Sequence, residues 1–378
     1  MNILILCAQG GVAGSTYSIS YLAKGLAEKG HQVFLGLKEN TFLDSLVENS
    51  AVHRIYMPFK GKLDKKTRAI ITKLIDEKNI QVINAQSSND RYVGPIINLL
   101  RKNKILVVQT RRQHPKQMLG ANKFFQNIFN NFFSDYLVTV SHELKKIFIS
   151  RGIKAEKIKV IHNGTPTEQY IQNKRLSQQL KQNLGYTDDD VVIGCVARYK
   201  NQPQLVKALK YLPKEWKVLY VGLDEKSYRE RFPDEPDILD VPQQVKCTGI
   251  IENKAEVIQY YTLMNVNILP STMDGFGLAL VESMAMGTPV VATNYAGIKD
   301  VVQHEENGLL YENENYEDLA RQIEKAVLNT QLREKMIQVG YEAAFKKFSI
   351  QNTINNYESF FEEIIEARKS KKDLKIME

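Results

Sequence analysis

Residues 266–292 run from an apolar strand through a glycine-flanked acidic turn and a helix to a second strand, a succession that commits the chain to parallel β/α architecture. Val266-Asn267-Ile268-Leu269 enters the turn Pro270–Gly277, a helix bearing Glu282 follows, and Gly287-Thr288-Pro289 stops it before Val290-Val291-Ala292. Two acids with seven residues between them, Asp274 and Glu282, straddle the start of that helix. A helix N-terminus exposes unpaired amide N–H groups and the positive end of the dipole, which suits a phosphate. Eight helical residues rise ~12 Å, enough to reach both ends of an elongated ligand. Carboxylates accept hydrogen bonds from adjacent sugar hydroxyls. Phosphate in the middle with a sugar at each end is the outline of a nucleotide-sugar.

The same alternation runs along the whole chain. In the first half, short apolar runs at 2–7, 32–37, 52–56, 81–84, 105–109, 136–140 and 158–161 predict strands, and 18–29 carries a helical stripe of Ile19, Leu22, Ala23, Leu26 and Ala27. The pattern restarts at 191–196 and continues at 217–221, 245–248, 265–269 and 289–292. A length of 378 residues exceeds one typical domain and fits two. The expected division is a first Rossmann-like domain over 1–165 and a second over 166–350. A terminal helix at about 351–366 carries the stripe Ile354, Tyr357, Phe360, Phe361, Ile364 and Ile365. The charged tail after Arg368 is expected to fray.

With 43% hydrophobic and 25% charged residues, and no apolar run near the ~20 residues that span a bilayer, the composition is that of a soluble globular protein. The start, Met1-Asn2-Ile3-Leu4-Ile5-Leu6-Cys7, reads as a buried strand rather than a signal peptide. Cys7, Cys195 and Cys247 lack metal spacing and read as core residues, so the expected location is cytoplasmic. Charge is uneven. Residues 1–165 hold 25 Lys and Arg against 11 Asp and Glu, a surplus of +14 within a whole-chain charge of +8, which leaves −6 for the rest. A basic first half favours an anionic surface or substrate, with a peripheral position on the inner face of the plasma membrane as one form of it. No nucleic-acid motif accompanies the charge.

The 270–292 segment resembles the acid, seven residues, acid signature of family 4 retaining glycosyltransferases. The resemblance implies a GT-B fold of two Rossmann-like domains facing across a cleft, with a C-terminal helix crossing back to the first. It also implies that the first acid contacts the transferred sugar and the second holds the donor ribose. Glu282 matches the second position, and Asp274 stands where the family usually has the longer Glu. Gly275, Phe276, Gly277 and Leu278 follow as the pattern expects and would bring backbone amides to the donor. In Ala197-Arg198-Tyr199-Lys200-Asn201-Gln202, Arg198 and Lys200 match the family's diphosphate clamp, in a loop about three residues short. A planar guanidinium and a mobile ammonium together suit a leaving diphosphate.

Other candidates are less specific. The glycine-rich turn with Gly10 and Gly11 resembles the family's loop near the donor diphosphate, or is a turn that needs glycine for packing. His114 is the candidate for a histidine near the reacting sugar, and Arg111 and Arg112 are candidates for holding an acidic or phosphorylated acceptor. Ser141 suits a helix cap, and Asn163-Gly164 a turn at the domain junction. The aromatics between Lys123 and Phe133 fall on one helical face, either packed on the sheet or dipping into an anionic membrane. Asp188-Asp189-Asp190 reads as a solvated turn, so neither metal nor cofactor is expected. The resemblance thus implies a metal-independent retaining transferase that moves a hexose-type sugar from a UDP- or GDP-sugar to a lipid-linked, capsule or lipopolysaccharide glycan. A nucleotide-sugar epimerase and a catalytically weak nucleotide-sugar-binding protein are the rival readings.

Overall fold

The computed structural model describes residues 1–61, 64–87, 90–113, 131, 134–272, 274–295 and 297–377, with side chains through 370. His114 and nearly all of the aromatic stretch 123–133 lie outside the described residues. The chain divides into two compact units, one of Met1–Gly164 with Ile350–Glu378 and the other of Thr165–Ser349.

Unit 1 is built on seven parallel strands: β1 (Asn2–Cys7), β2 (Gln32–Leu37), β3 (His53–Tyr56), β4 (Val82–Ala85), β5 (Leu106–Arg111), β6 (Tyr136–Thr139) and β7 (Ile158–Val160). They lie in the order β3-β2-β1-β4-β5-β6-β7. Strand β1 is buried from Ile3 to Cys7, as a strand covered on both faces must be. Its helices are α1 (Gly14–Glu28), α2 (Phe42–Val47), α3 (Lys65–Lys78), α4 (Val93–Leu100) and α5 (His142–Ser150). Ser141 caps α5, its side chain accepting from Leu144 N at 3.3 Å. One face of the sheet is covered by α3 and α4 through Ile71, Leu74 and Ile97.

The other face is covered by α1 and by the long C-terminal helix (Ile350–Met377), which continues through the residues expected to fray. The two helices meet at a glycine. A Cβ on Gly25 would sit 2.1 Å from Ile354 Cδ1, so the absent side chain is what lets the helices close. Tyr357 and Phe361 are almost fully buried behind that contact, and Glu358 ties the helix to Lys29 and His31 at its edge.

Unit 2 has six parallel strands: β8 (Val192–Val196), β9 (Lys217–Val221), β10 (Gln244–Cys247), β11 (Val266–Leu269), β12 (Val290–Thr293) and β13 (Leu309–Tyr311). Their order is β10-β9-β8-β11-β12-β13. The last strand is not apparent in the sequence, because three residues after Asn307-Gly308 are too few for a periodic signal. The helices are α6 (Lys174–Leu184), α7 (Pro203–Ala208), α8 (Glu225–Arg231), α9 (Lys254–Tyr261), α10 (Leu278–Ala285), α11 (Ile298–Val301), α12 (Tyr316–Leu328) and α13 (Thr330–Lys346). The C-terminal helix is therefore α14. Two core clusters flank the sheet, one around Leu205, Trp216 and Ile323, the other around Leu180, Tyr186 and Tyr261.

In each sheet the order reverses beside the first strand, between β1 and β4 in unit 1 and between β8 and β11 in unit 2. Chains leaving the carboxyl ends of two such strands turn to opposite faces, and the crevice left between them is where open α/β sheets take ligands. The segments at that point carry Gly10, Gly11, Gln86 and Asp90 in unit 1, and Arg198, Lys200, Asp274 and Gly277 in unit 2.

Phe361→Ala is expected to lower the unfolding free energy of unit 1 by about 3–5 kcal/mol, the cost of removing a buried aromatic ring, as read by urea denaturation.

Candidate active site

In unit 2, both loops of the strand-order reversal carry residues singled out by the sequence. The first is organised from beneath by Gln202, which is fully buried. Its amide donates to the carbonyls of Ala197, at 3.2 Å, and Arg198, while its Oε1 accepts from Lys200 N at 2.8 Å. Asn201 takes a left-handed conformation, φ 64°, so the loop reverses within six residues despite its shortness. Arg198 and Lys200 are half-buried at its rim.

The second loop leads from β11 to α10. Gly277 sits immediately before the helix with φ 86°, and a Cβ there would meet Leu280 Cδ1 at 3.2 Å and Leu269 Cδ2 at 3.3 Å. Conformation and space both demand glycine. Gly275 is pressed against Gly297, where a Cβ would lie 1.9 Å from the Gly275 oxygen. Phe276 is buried edge-on to Phe348, with ring centroids 5.4 Å apart. The aromatic ring thus pins the turn from below, and α10 begins without a side-chain cap on its first amides.

Lys200 and Asp274 join the two loops, with Nζ to Oδ1 at 2.8 Å. The second oxygen of Asp274 is buried and has no hydrogen-bond partner among the described residues. Glu282, on the second turn of α10, is 7% exposed and anchored on both oxygens. Lys254 Nζ, at the start of α9, lies 2.6 Å from Oε1, and the Tyr261 hydroxyl, at the end of α9, donates to Oε2 at 3.1 Å. Burial, with the adjacent Glu282 charge, pushes the Tyr261 phenol well above its ordinary range, so it remains a donor. Each carboxylate oxygen retains a lone pair for a further donor.

The sequence reading missed Gln202, Lys254 and Tyr261. Gln202 closes the Lys-Asn-Gln run with no signal of its own, and the partners of Glu282 sit on a helix with no recognisable motif. A cavity of about 420 Å³ lined by Tyr170, Ile171, Met286, Gly287, Tyr341 and Phe345 opens at the far end of α10. It lies away from Asp274 and is not the crevice described here.

In unit 1, Gly10 packs against α2, where a Cβ would lie 2.5 Å from Thr41 Oγ1, and its carbonyl accepts from Leu43 N at 3.0 Å. Gly11 is exposed, with nothing within 4 Å of a Cβ. Arg111 is buried in β5, donating to Gln109 Oε1 at 2.8 Å and lying 5.7 Å from the Phe148 ring centroid. Arg112 reaches toward the strand-order reversal and donates to Gln86, which donates in turn to Asn84. From there the chain passes to Thr110 at 3.2 Å and, through a 3.1 Å hydroxyl contact, to Tyr357 of α14. The Arg112 Nε is buried without a hydrogen-bond partner among the described residues. Asp90 accepts from Ala8 N at 3.0 Å and from Ser87, and burial raises its carboxyl from 3.8 to about 6.

The pattern of the family described as Glycosyl transferases group 1 matches residues 177–343, and that of Glycosyltransferase Family 4 matches 12–169. The chain belongs to this glycosyltransferase family. Capsular polysaccharide biosynthesis glycosyltransferase CapM of Staphylococcus aureus is 26% identical over 305 residues, 77% of this chain and 78% of that protein. N-acetyl-alpha-D-glucosaminyl L-malate synthase of Bacillus anthracis is 22% identical over 96% of this chain and 97% of its own. Anabaena HepE in complex with UDP-glucose superposes with a TM-score of 0.81 at 23% identity, covering 96% of this chain and all of that one. The fold is GT-B. Among the described residues, no helix of this glycosyltransferase is long and apolar enough to cross a membrane.

Tyr261→Phe removes one donor from the buried Glu282 and is expected to lower unit 2 stability by about 1–3 kcal/mol, measured by denaturant unfolding. For Asp90 the folded pKa lies above the unfolded one, so its contribution is full below about 3.8 and is lost as pH rises through about 6. Thermal unfolding across that window should show wild type losing its advantage over Asp90→Asn as pH rises.

Proposed function

We propose that this glycosyltransferase moves a hexose-type sugar from a UDP- or GDP-sugar to an acceptor hydroxyl, with retention of anomeric configuration and without a metal ion. What carries the reading is the Lys200–Asp274 pair at the start of α10 together with Glu282, held from both sides on its second turn. The first amides of α10 and the cations Arg198 and Lys200 surround a place suited to a diphosphate. Glu282, oriented by Tyr261 and Lys254, takes the ribose hydroxyls. Asp274, through its unpaired oxygen, takes hydroxyls of the sugar to be transferred.

Chemistry then proceeds by drawing charge onto the leaving diphosphate. As the glycosidic C–O bond lengthens, negative charge grows on the phosphate oxygen, and Arg198, Lys200 and the α10 amides stabilise it more strongly than the ground state. The sugar acquires oxocarbenium character, and the acceptor hydroxyl attacks from the face that the diphosphate leaves, giving up its proton to the departing group. No carboxylate is assigned as a covalent nucleophile, which is why the proposal has no glycosyl-enzyme intermediate.

The acceptor is assigned to unit 1, where Arg112 favours an acceptor with an acidic or phosphorylated group; Gly11 keeps its proposed role toward the donor diphosphate and His114 its role as the candidate catalytic histidine. The side chain of Arg111 is already engaged with Gln109 and Phe148, which favours a supporting role for it. A lipid-linked, capsule or lipopolysaccharide glycan is the proposed acceptor class, in keeping with the capsule relative. The proposed place of action is the cytoplasmic side of the plasma membrane.

A thermal-shift series with UDP- and GDP-sugars is expected to stabilise wild type with one nucleotide class and to leave Glu282→Ala unmoved. Equal stabilisation of the variant would remove Glu282 from the site. With the active donor, release of nucleoside diphosphate should require an acceptor, persist in EDTA, and give a product whose anomeric configuration by NMR is that of the donor. An inverted product would overturn the mechanism.

A further inference from the structure

The ion pair between the two loops of unit 2 uses a side chain that the donor also needs. Lys200 Nζ lies 2.8 Å from Asp274 Oδ1, in a pair whose lysine is 35% and aspartate 18% exposed. The buried glutamine amide beneath holds the lysine's loop in place, so only the lysine side chain is free to choose between partners. The other Asp274 oxygen, Oδ2, is buried and lacks a hydrogen-bond partner among the described residues. A buried acceptor without a donor is costly, so this half of the carboxylate is suited to receive a hydroxyl from outside the protein.

Resting on the donor site proposed above, we infer that Asp274 is a competitor of the nucleotide as well as a contact for the sugar, and that it sets the preference for intact donor over spent nucleotide. With the site empty, Asp274 holds Lys200. When the intact donor binds, hydroxyls of the sugar satisfy the carboxylate, and the ammonium turns to the diphosphate. After transfer the sugar has gone. Asp274 then faces the nucleoside diphosphate with no hydroxyl donor of its own, and taking Lys200 back satisfies it. The diphosphate loses one of its two cations at the step where it has to leave. Reclaiming a part-buried lysine is worth about a two- to fivefold change in affinity, given the usual strength of such pairs. The same carboxylate that helps to hold the donor therefore weakens the hold on the product.

Isothermal titration of the full chain tests this with UDP and UDP-glucose, and in parallel with GDP and GDP-mannose, on wild type, Asp274→Asn, Lys200→Met and the double variant. Asp274→Asn keeps the shape of the side chain and removes its charge. It is expected to bind the nucleoside diphosphate about two- to fivefold more tightly than wild type and the nucleotide-sugar more weakly. In the Lys200→Met background, adding Asp274→Asn should leave diphosphate affinity unchanged, since there is no lysine to release. Unchanged or weaker diphosphate binding in Asp274→Asn overturns the inference while leaving the donor site in place. Equal tightening in both backgrounds also overturns it, because simple repulsion between carboxylate and diphosphate would then account for the effect. If wild type binds neither nucleotide pair, or if Lys200→Met binds the nucleotide-sugar as wild type does, the donor-site proposal fails and the inference with it.

Discussion

A parallel strand cannot return to its neighbour without a crossover on one face of the sheet, and the rest of this structure depends on where those crossovers change direction. In each unit the chain first winds outward from its opening strand and then jumps back to the other side of it. Two loops therefore leave adjacent strand ends toward opposite faces, and nothing in the winding fills the space between them. The candidate donor residues of unit 2 follow from this. Arg198 and Lys200 are on one of the diverging loops, and Asp274 through Gly277 are on the other. Unit 1 repeats the arrangement with Gly11 on one loop and Gln86 and Asp90 on the other.

The two crevices are finished with different materials. In unit 2 the side chains are charged and meet in pairs, Lys200 with Asp274 and Lys254 with Glu282, supported by neutral donors beneath. In unit 1 a relay of amides and hydroxyls runs from Arg112 through Gln86, Asn84 and Thr110 to Tyr357, with the arginine at its end. Paired charges favour a ligand that carries both anionic and hydroxyl groups. A neutral relay that stiffens a half-buried cation favours a ligand that brings its own negative charge.

Much of the fold was legible because parallel strands buried on both faces leave uninterrupted apolar runs, and twelve of them stood out along the chain. Strand β13 did not, being only three residues long. The glycines around Phe276 were legible as well, because a left-handed residue and a close backbone approach each leave a glycine behind. What stayed hidden was the layer beneath the ligand-facing residues. Tyr261 meets Glu282 from 21 positions away and Tyr357 meets Thr110 from 247, and neither tyrosine differs in sequence context from one that merely fills a core. Polar support of this kind is fixed by tertiary packing, and periodicity carries no trace of it. Lys254 stayed hidden for a related reason, since a lysine at the start of a helix ordinarily reads as a solvated charge.

The contact of Gly25 with Ile354 bears on how the chain is made. Unit 2 is contiguous, and all of its strands and helices are available once residue 349 has emerged from the ribosome. The first unit to be synthesised is nevertheless the last that can be completed. Until Ile354, Tyr357 and Phe361 arrive, α1 and its side of the β1 sheet present bare apolar surface to the cell. While its carboxyl-terminal unit folds, the nascent chain therefore carries an unfinished amino-terminal unit, whose bare apolar face is its most aggregation-prone surface during that interval.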